Sequence, residues 1–395
     1  MLVKHRMLTN NSILFDRIIH MNYISYLIKP ASSLCNLRCK YCFYEDEVNN
    51  RDIASYGVMK EETVDNIINN AYSYLSNGGY VSFAFQGGEP TVATLPFFKS
   101  FVKKAKERKP NNISIRFSIQ TNGTLIDEEW AEFLSKEGFL VGLSIDGYKS
   151  NHDKYRLDAS SNPTYDKVLE TKKLFDKYNV QYNALCVVTK DLAYSPKKAY
   201  NTLKNLGFRY IQFIACLDFI SLKGKLPWSL TPEAYGNFLC QVFDLYFNDY
   251  MKGDYHSIRL FDDYIHTLLK DNQSTCATCG KCGAYVVVEG DGSIYPCDFF
   301  CLDSYKIGNI NELSIEEIYK SQKINEFLEF GKEKPSDCKA CPYSYICNGG
   351  CKNDWAKKDD RYYNYYCKSF KMLFSYALER MKYIASNEMK ARRGY

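Results

Sequence analysis

The chain has 395 residues, enough for two or three domains with well-buried cores, which excludes a small domain that depends on staples. Its 51 Lys and Arg against 46 Asp and Glu leave a net +5 spread along the chain, which argues against a dedicated nucleic-acid or membrane surface. No run of about eighteen apolar residues and no secretory signal occurs, so a cytoplasmic protein is expected, without membrane or nucleic-acid partners. In that compartment sixteen cysteines read as metal or cluster ligands rather than as disulfides.

Residues 1–20 precede a second methionine, Met21, and read as an added or misassigned extension. Strand-like runs rich in β-branched and aromatic residues follow at 23–29, 82–86, 114–120, 140–145, 183–188 and 210–215. Helical spacing lies between them at 61–75, 95–107, 127–135, 165–178 and 196–206. Alternating units of this kind imply a parallel sheet with crossover helices, here an open, partial (β/α)6 barrel over 21–235. A linker is expected over 236–270, a small cysteine-rich α+β domain over 271–370, and a helix over 371–395. Within the third segment GAYVVVEGDGSIYPCDFF reads as a hairpin turning at Gly290-Asp291-Gly292 and delivering Cys297.

The unusual motifs all fall at the C-terminal ends of predicted strands, where barrel chemistry collects. Cys35, Cys39 and Cys42 follow the first strand as CxxxCxxC, QGGEP (Gln86 to Pro90) the second, QTNG the third and SIDG the fourth. Gly87 and Gly88 allow close backbone approach to a ligand, although QGGEP alone is equally a turn. Structural zinc is closed by four ligands, so three cysteines need a distant fourth, whereas a cluster held by three thiolates leaves one iron open. The remaining ligand candidates are Cys276, Cys279, Cys282, Cys297, Cys301, Cys338, Cys341, Cys347, Cys351 and Cys367, which at these spacings also suit two zinc sites. Cys186, Cys216 and Cys240 lie in apolar surroundings and read as core thiols. Five histidines without metal-ligand spacing give no support to histidine catalysis.

The CxxxCxxC loop, with Tyr41 before its third cysteine, resembles the radical S-adenosylmethionine enzymes, and the CxxCxxxxxCxxxC run resembles their SPASM extension. LIKPASSLCNLRCKYCFY, FAFQGGEPT, QTNGTLIDEEWAEFLS, FLVGLSIDG and YPCDFF most resemble the anaerobic sulfatase-maturating enzymes. The resemblance implies S-adenosylmethionine and three [4Fe–4S] clusters. It places one cluster on Cys35, Cys39 and Cys42, a nearer auxiliary cluster on Cys276, Cys282, Cys297 and Cys351, and a farther one on Cys338, Cys341, Cys347 and Cys367. Cys279 and Cys301 are then spare, and either can replace an assigned ligand. It further puts Gly87, Gly88 and Glu89 at the cofactor's amino group, Ser144 and Arg156 near its carboxylate and ribose, and Leu217 near its adenosine. Tyr44 and Gln86 are implied on the substrate side, and Asp298 as the base that takes the substrate proton, against the plainer reading of a turn residue.

The activity so implied is oxidation of a cysteine or serine in a CxPxR or SxPxR segment of an unfolded sulfatase polypeptide to formylglycine. Hydrogen is abstracted from Cβ by a 5′-deoxyadenosyl radical, with a flavodoxin- or ferredoxin-type electron donor. Two alternatives stay open. One is a related enzyme that forms thioether or carbon–carbon crosslinks in a ribosomal peptide, although the residues before Met21 are too few for the recognition domain such enzymes often carry. The other is a non-catalytic electron carrier, which has no use for QGGEP and SIDG beside an open cluster.

Overall fold

The computed structural model describes residues 23–220, 224–282, 285–332, 334–358 and 361–393; the extension expected over 1–20 lies outside them. Six parallel strands follow in chain order, β1 (Tyr23–Ile28), β2 (Gly79–Phe85), β3 (Ile113–Thr121), β4 (Leu140–Ser144), β5 (Gln181–Val188) and β6 (Tyr210–Ala215), each paired with the next. β1 is buried along all but its first residue, as expected of a parallel strand covered on both faces. The period of two sends Phe83 and Phe85 to the helix side, where they meet Phe98 and Phe101 of the helix Leu95–Glu107. The opposite face of β1 carries Leu27, which packs with Tyr44, Val287 and Tyr295.

The cysteine-rich segment is not a detached domain. Its hairpin, β8 (Val286–Val288) and β9 (Ser293–Tyr295), continues the barrel sheet, with β8 parallel to β1 in the register Leu27↔Val287. The sheet has ten strands in the order β10-β9-β8-β1-β2-β3-β4-β5-β6-β7, where β7 is Ser257–Ile258 and β10 is Gly308–Asn309. The open edge of a six-stranded barrel is thereby covered, which removes a row of unpaired backbone groups. As expected the hairpin turns at Gly290 to Gly292, with Gly292 N–H donating to Glu289 O at 2.9 Å.

Residues 236–270, expected as a linker, are mainly helical. Thr231 caps the helix Pro232–Lys252 by accepting from Ala234 N–H at 3.2 Å, and Gly253 ends it at φ +80°. Its apolar face is largely aromatic, with Phe238, Phe243 and Tyr246 buried. It packs on the C-terminal helix Cys367–Arg392, so closely that a Cβ on Gly236 would lie 2.7 Å from Met372 Sδ. A second helix, Arg259–Leu269, completes the stretch. No described helix is long and apolar enough to cross a membrane.

The turn between β8 and β9 tolerates little. A Cβ on Gly290 would sit 2.6 Å from the Gly57 carbonyl oxygen, on the loop that follows the first cysteine motif. Gly290→Ala is expected to destabilise the protein by about 1–3 kcal/mol through overpacking, read as a lower Tm; an unchanged Tm would show that this contact yields without cost.

Candidate active site

The loop after β1 is held by backbone. Gln86 N–H donates to Ile28 O at 2.9 Å, Gly88 N–H to Ser32 O at 2.8 Å and Glu89 N–H to Leu34 O at 2.8 Å, so QGGEP runs beside the first cysteine loop like an added strand. A Cβ on Gly88 would come within 2.3 Å of Leu34 O, and Gly87 has φ +119°, which explains both glycines. The buried Glu89 carboxylate accepts from Thr91 N–H (3.1 Å), Thr91 Oγ1 (2.7 Å), Thr121 Oγ1 (2.7 Å) and Asn122 N–H (2.7 Å). It therefore ties the ends of β2 and β3 together, with its carboxyl raised by burial and lowered by those donors. From the other side Arg38 N–H donates to Leu157 O (2.7 Å) and Lys40 N–H to Tyr155 O (3.0 Å).

Cys35, Cys39 and Cys42 converge on this loop, each thiol close enough to raise the pKa of another. Burial pushes Cys35 up to about 11 and Cys39 up to about 12, so a metal taking them as thiolates must displace protons. Beside them SIDG supplies a node that the sequence did not reveal. Fully buried Asp146 accepts from Val187 N–H (3.0 Å), from Arg156 Nε (3.0 Å) and from the Tyr41 hydroxyl. Arg156 is thus aimed at the cysteine loop, with Nη1 4.0 Å from Cys39 Sγ. Ser144 ends β4 and Leu217 follows β6, both partly exposed at the same end of the barrel.

At the C-terminal end of β1 lies a cluster of buried charge. Lys29, the first residue past β1 and fully buried, places Nζ 2.9 Å from Asp298 Oδ1 and 3.5 Å from the centre of the Tyr44 ring. Gln86 Nε2 donates to Asp298 Oδ2 at 2.6 Å. The Lys29 side chain is 0% exposed and that of Asp298 17%, so the carboxylate remains reachable while its counter-ion does not. Deeper in, Glu289 accepts from the Tyr44 hydroxyl, from Arg51 Nη1 (2.9 Å) and from Ser32 Oγ (2.9 Å). Burial opposes the Lys29 ammonium, but Asp298, Cys301, Tyr44 and Glu289 outweigh it and hold its pKa well above the usual value. Burial likewise works against ionised Glu289, and Lys29 and Arg51 overcome it and lower its pKa. Tyr44, Gln86 and Asp298, expected from the resemblance, are thus brought together with Lys29, Arg51 and Glu289, which no motif singles out; for Lys29 the one signal is a charge inside the apolar run before ASSLC.

The remaining cysteines form two groups. Cys276, Cys282, Cys297 and Cys351 surround Lys352 and perturb one another, and Cys276, Cys282 and Cys351 line one cavity. Cys338, Cys341, Cys347 and Cys367 form the second group. The Cys279 thiol lies 3.7 Å from Gln273 O and still acts on Cys276, and buried Cys301 faces Lys29 and Glu47. Among the described residues no three cysteine sulfurs lie within 4.8 Å of one another. Each group offers thiols alone, the donor set that a cubane takes at its corners.

A partial barrel with a three-cysteine loop, extended by a cysteine-rich hairpin domain, defines a radical SAM enzyme. Accordingly, a model described as the Radical SAM superfamily matches residues 30–210, and one described as an iron-sulfur cluster-binding domain matches 276–342. The chain is 43% identical over 367 residues to the cysteine-type anaerobic sulfatase-maturating enzyme of Clostridium perfringens, covering 92% of this chain and 99% of that one. To the serine-type anaerobic sulfatase-maturating enzyme of Bacteroides thetaiotaomicron it is 31% identical over 384 residues, covering 92% and 91%. A solved structure described as native anSMEcpe with bound AdoMet and Kp18Cys peptide matches with TM-score 0.87 and 42% identity, covering 93% of this chain and 100% of that one. The chain belongs to the anaerobic sulfatase-maturating enzymes.

Burial pushes the Glu47 carboxyl, beside this pocket, up to about 9 from the ordinary 4.5. A carboxyl raised on folding stabilises fully below about 4.5, and that contribution is lost as pH rises through about 9. Glu47→Gln should therefore gain Tm relative to wild type between pH 5 and pH 9 (on the order of the folded and unfolded pKa values). A Tm difference that does not change with pH would mean that Glu47 is ionised in the folded protein.

Proposed function

We propose that this chain oxidises a cysteine side chain in a CxPxR segment of an unfolded sulfatase polypeptide to formylglycine, in the cytoplasm, using a flavodoxin- or ferredoxin-type electron donor. The observation that carries the reading is the placement of Asp298 between Lys29 and Gln86, next to Cys297 in the chain. The higher identity to the cysteine-type relative favours cysteine over serine.

In this reading Cys35, Cys39 and Cys42 hold the cluster that leaves one iron open, Cys276, Cys282, Cys297 and Cys351 hold the nearer auxiliary cluster, and Cys338, Cys341, Cys347 and Cys367 the farther one. The Gly87-Gly88 backbone, Ser144, Arg156 and Leu217 line the place of S-adenosylmethionine, and Glu89 acts by fixing the loop. The bound groups supply abstraction of a hydrogen atom from the substrate Cβ, through a 5′-deoxyadenosyl radical, and an acceptor for the electron that must also leave. The chain supplies the base. Asp298 takes the proton of the substrate thiol, so that loss of the hydrogen atom, this proton and one electron leaves a thioaldehyde, which water hydrolyses to formylglycine with release of hydrogen sulfide. Lys29 and Gln86 fix the two oxygens of Asp298, and the Tyr44 hydroxyl is held by Glu289.

Anaerobic incubation with S-adenosylmethionine, a reductant and CxPxR or SxPxR peptides, followed by peptide mass measurement, tests the reading. Formylglycine is expected, faster from the cysteine peptide; cofactor cleavage with both peptides unaltered would point to the crosslinking chemistry instead. Alanine at Cys35, Cys39 and Cys42 together should abolish 5′-deoxyadenosine formation and leave about eight of about twelve irons. Asp298→Asn should still cleave the cofactor yet form aldehyde roughly a hundred- to ten-thousand-fold more slowly. Aldehyde formation at the wild-type rate would assign the base to another group.

A further inference from the structure

Lys352 is the residue after Cys351, and its side chain turns inward: the residue is 4% exposed. Its Nζ donates to Phe327 O at 2.5 Å and lies 3.1 Å from the centre of the Phe327 ring, with the Phe330 ring centre at 5.5 Å and that of Phe300 at 5.9 Å. A carbonyl acceptor and an aromatic face both favour the ammonium form. Among the described residues no carboxylate pairs with it, and it lines one cavity with Cys276, Cys282 and Cys351, with Cys297 also in electrostatic reach; burial lowers its pKa, and those four sulfurs, once thiolates, oppose that. An ammonium buried without a counter-ion is costly, so this cation points to an anion held by those four sulfurs.

A cubane on four thiolates is such an anion, and reduction adds one more negative charge to it. A fixed cation in a low-dielectric wall stabilises the reduced form more than the oxidised form. We propose that Lys352 is the buried counter-ion of the nearer auxiliary cluster and raises its midpoint potential, which makes that cluster the better electron acceptor. The inference rests on the ligand set proposed above. It assigns Lys352 as a positioning charge and not as a ligand, and gives Phe327 the task of holding it.

The test is an EPR-monitored potentiometric titration of the anaerobically reconstituted full-length protein as wild type, Lys352→Met and Lys352→Arg, with iron counted in each. In Lys352→Met the reduced-to-oxidised ratio of one cluster at a fixed potential should fall tenfold or more, a shift of 59 mV or more to lower potential for a one-electron couple. The other two midpoints should stay in place, and Lys352→Arg should restore most of the shift. Three unmoved midpoints at full iron content would overturn the proposal. Lys352→Gln serves if the methionine variant loads poorly; loss of one cluster from both would make the residue structural and also overturn it. Wild type carrying only about four irons would instead overturn the auxiliary ligand sets, a result read from the iron count and distinct from an unmoved potential.

Discussion

The parallel pairing of β8 with β1 is the contact on which the site depends. It joins residues far apart in the chain, setting Leu27 opposite Val287 and Ile28 opposite Val288, with Lys29 N–H donating to Val288 O at 2.8 Å. Beyond that last bond the two chains diverge into the functional loops. Lys29 and the cysteine loop continue from β1, and Glu289 begins the turn that returns β9 toward Cys297 and Asp298. A one-residue slip would turn the inward residues of β8 away from the pocket, so the backbone register and the charge pairing specify each other.

Those charges are affordable only together. Lys29, Arg51, Glu289 and Asp298 form two ion pairs at 2.9 Å in surroundings where an unpaired charge costs several kcal/mol. Tyr44 connects them, its ring under Lys29 and its hydroxyl on Glu289. Asp146, Arg156 and Tyr41 form a second such group on the barrel side. Tyr41 and Tyr44 join the two groups to either side of Cys42 in the chain, so these polar groups are fixed before any ligand arrives, which is the condition for electrostatic preorganisation. Burial raises the Glu47 carboxyl in the same surroundings.

The barrel was largely legible because buried parallel strands are written as short β-branched and aromatic runs and their helices as periodic faces: 140–145 was expected where β4 spans Leu140–Ser144, and 165–178 where a helix spans Tyr165–Tyr178. The helix Pro232–Lys252 was missed because its buried stripe is aromatic and mixed with polar residues, and because cysteine density further on drew the boundary. Asp298, Gln86 and Tyr44 are expected only through family resemblance. Lys29 and Glu289 are not expected, since their roles come from a strand pairing that no local pattern announces. Tyr41, named above only as part of the cysteine motif, is a donor to Asp146 because that carboxylate is buried within its reach.

The central claim is that a lysine from the barrel and an aspartate from the cysteine-rich segment act as one unit at the reacting thiol. A double-mutant cycle on aldehyde formation tests it most directly, with Lys29→Met, Asp298→Asn and the double variant compared at matched iron content. The account predicts strong non-additivity, with the double variant little slower than Asp298→Asn alone. Losses that multiply, as for two independent residues, would contradict it.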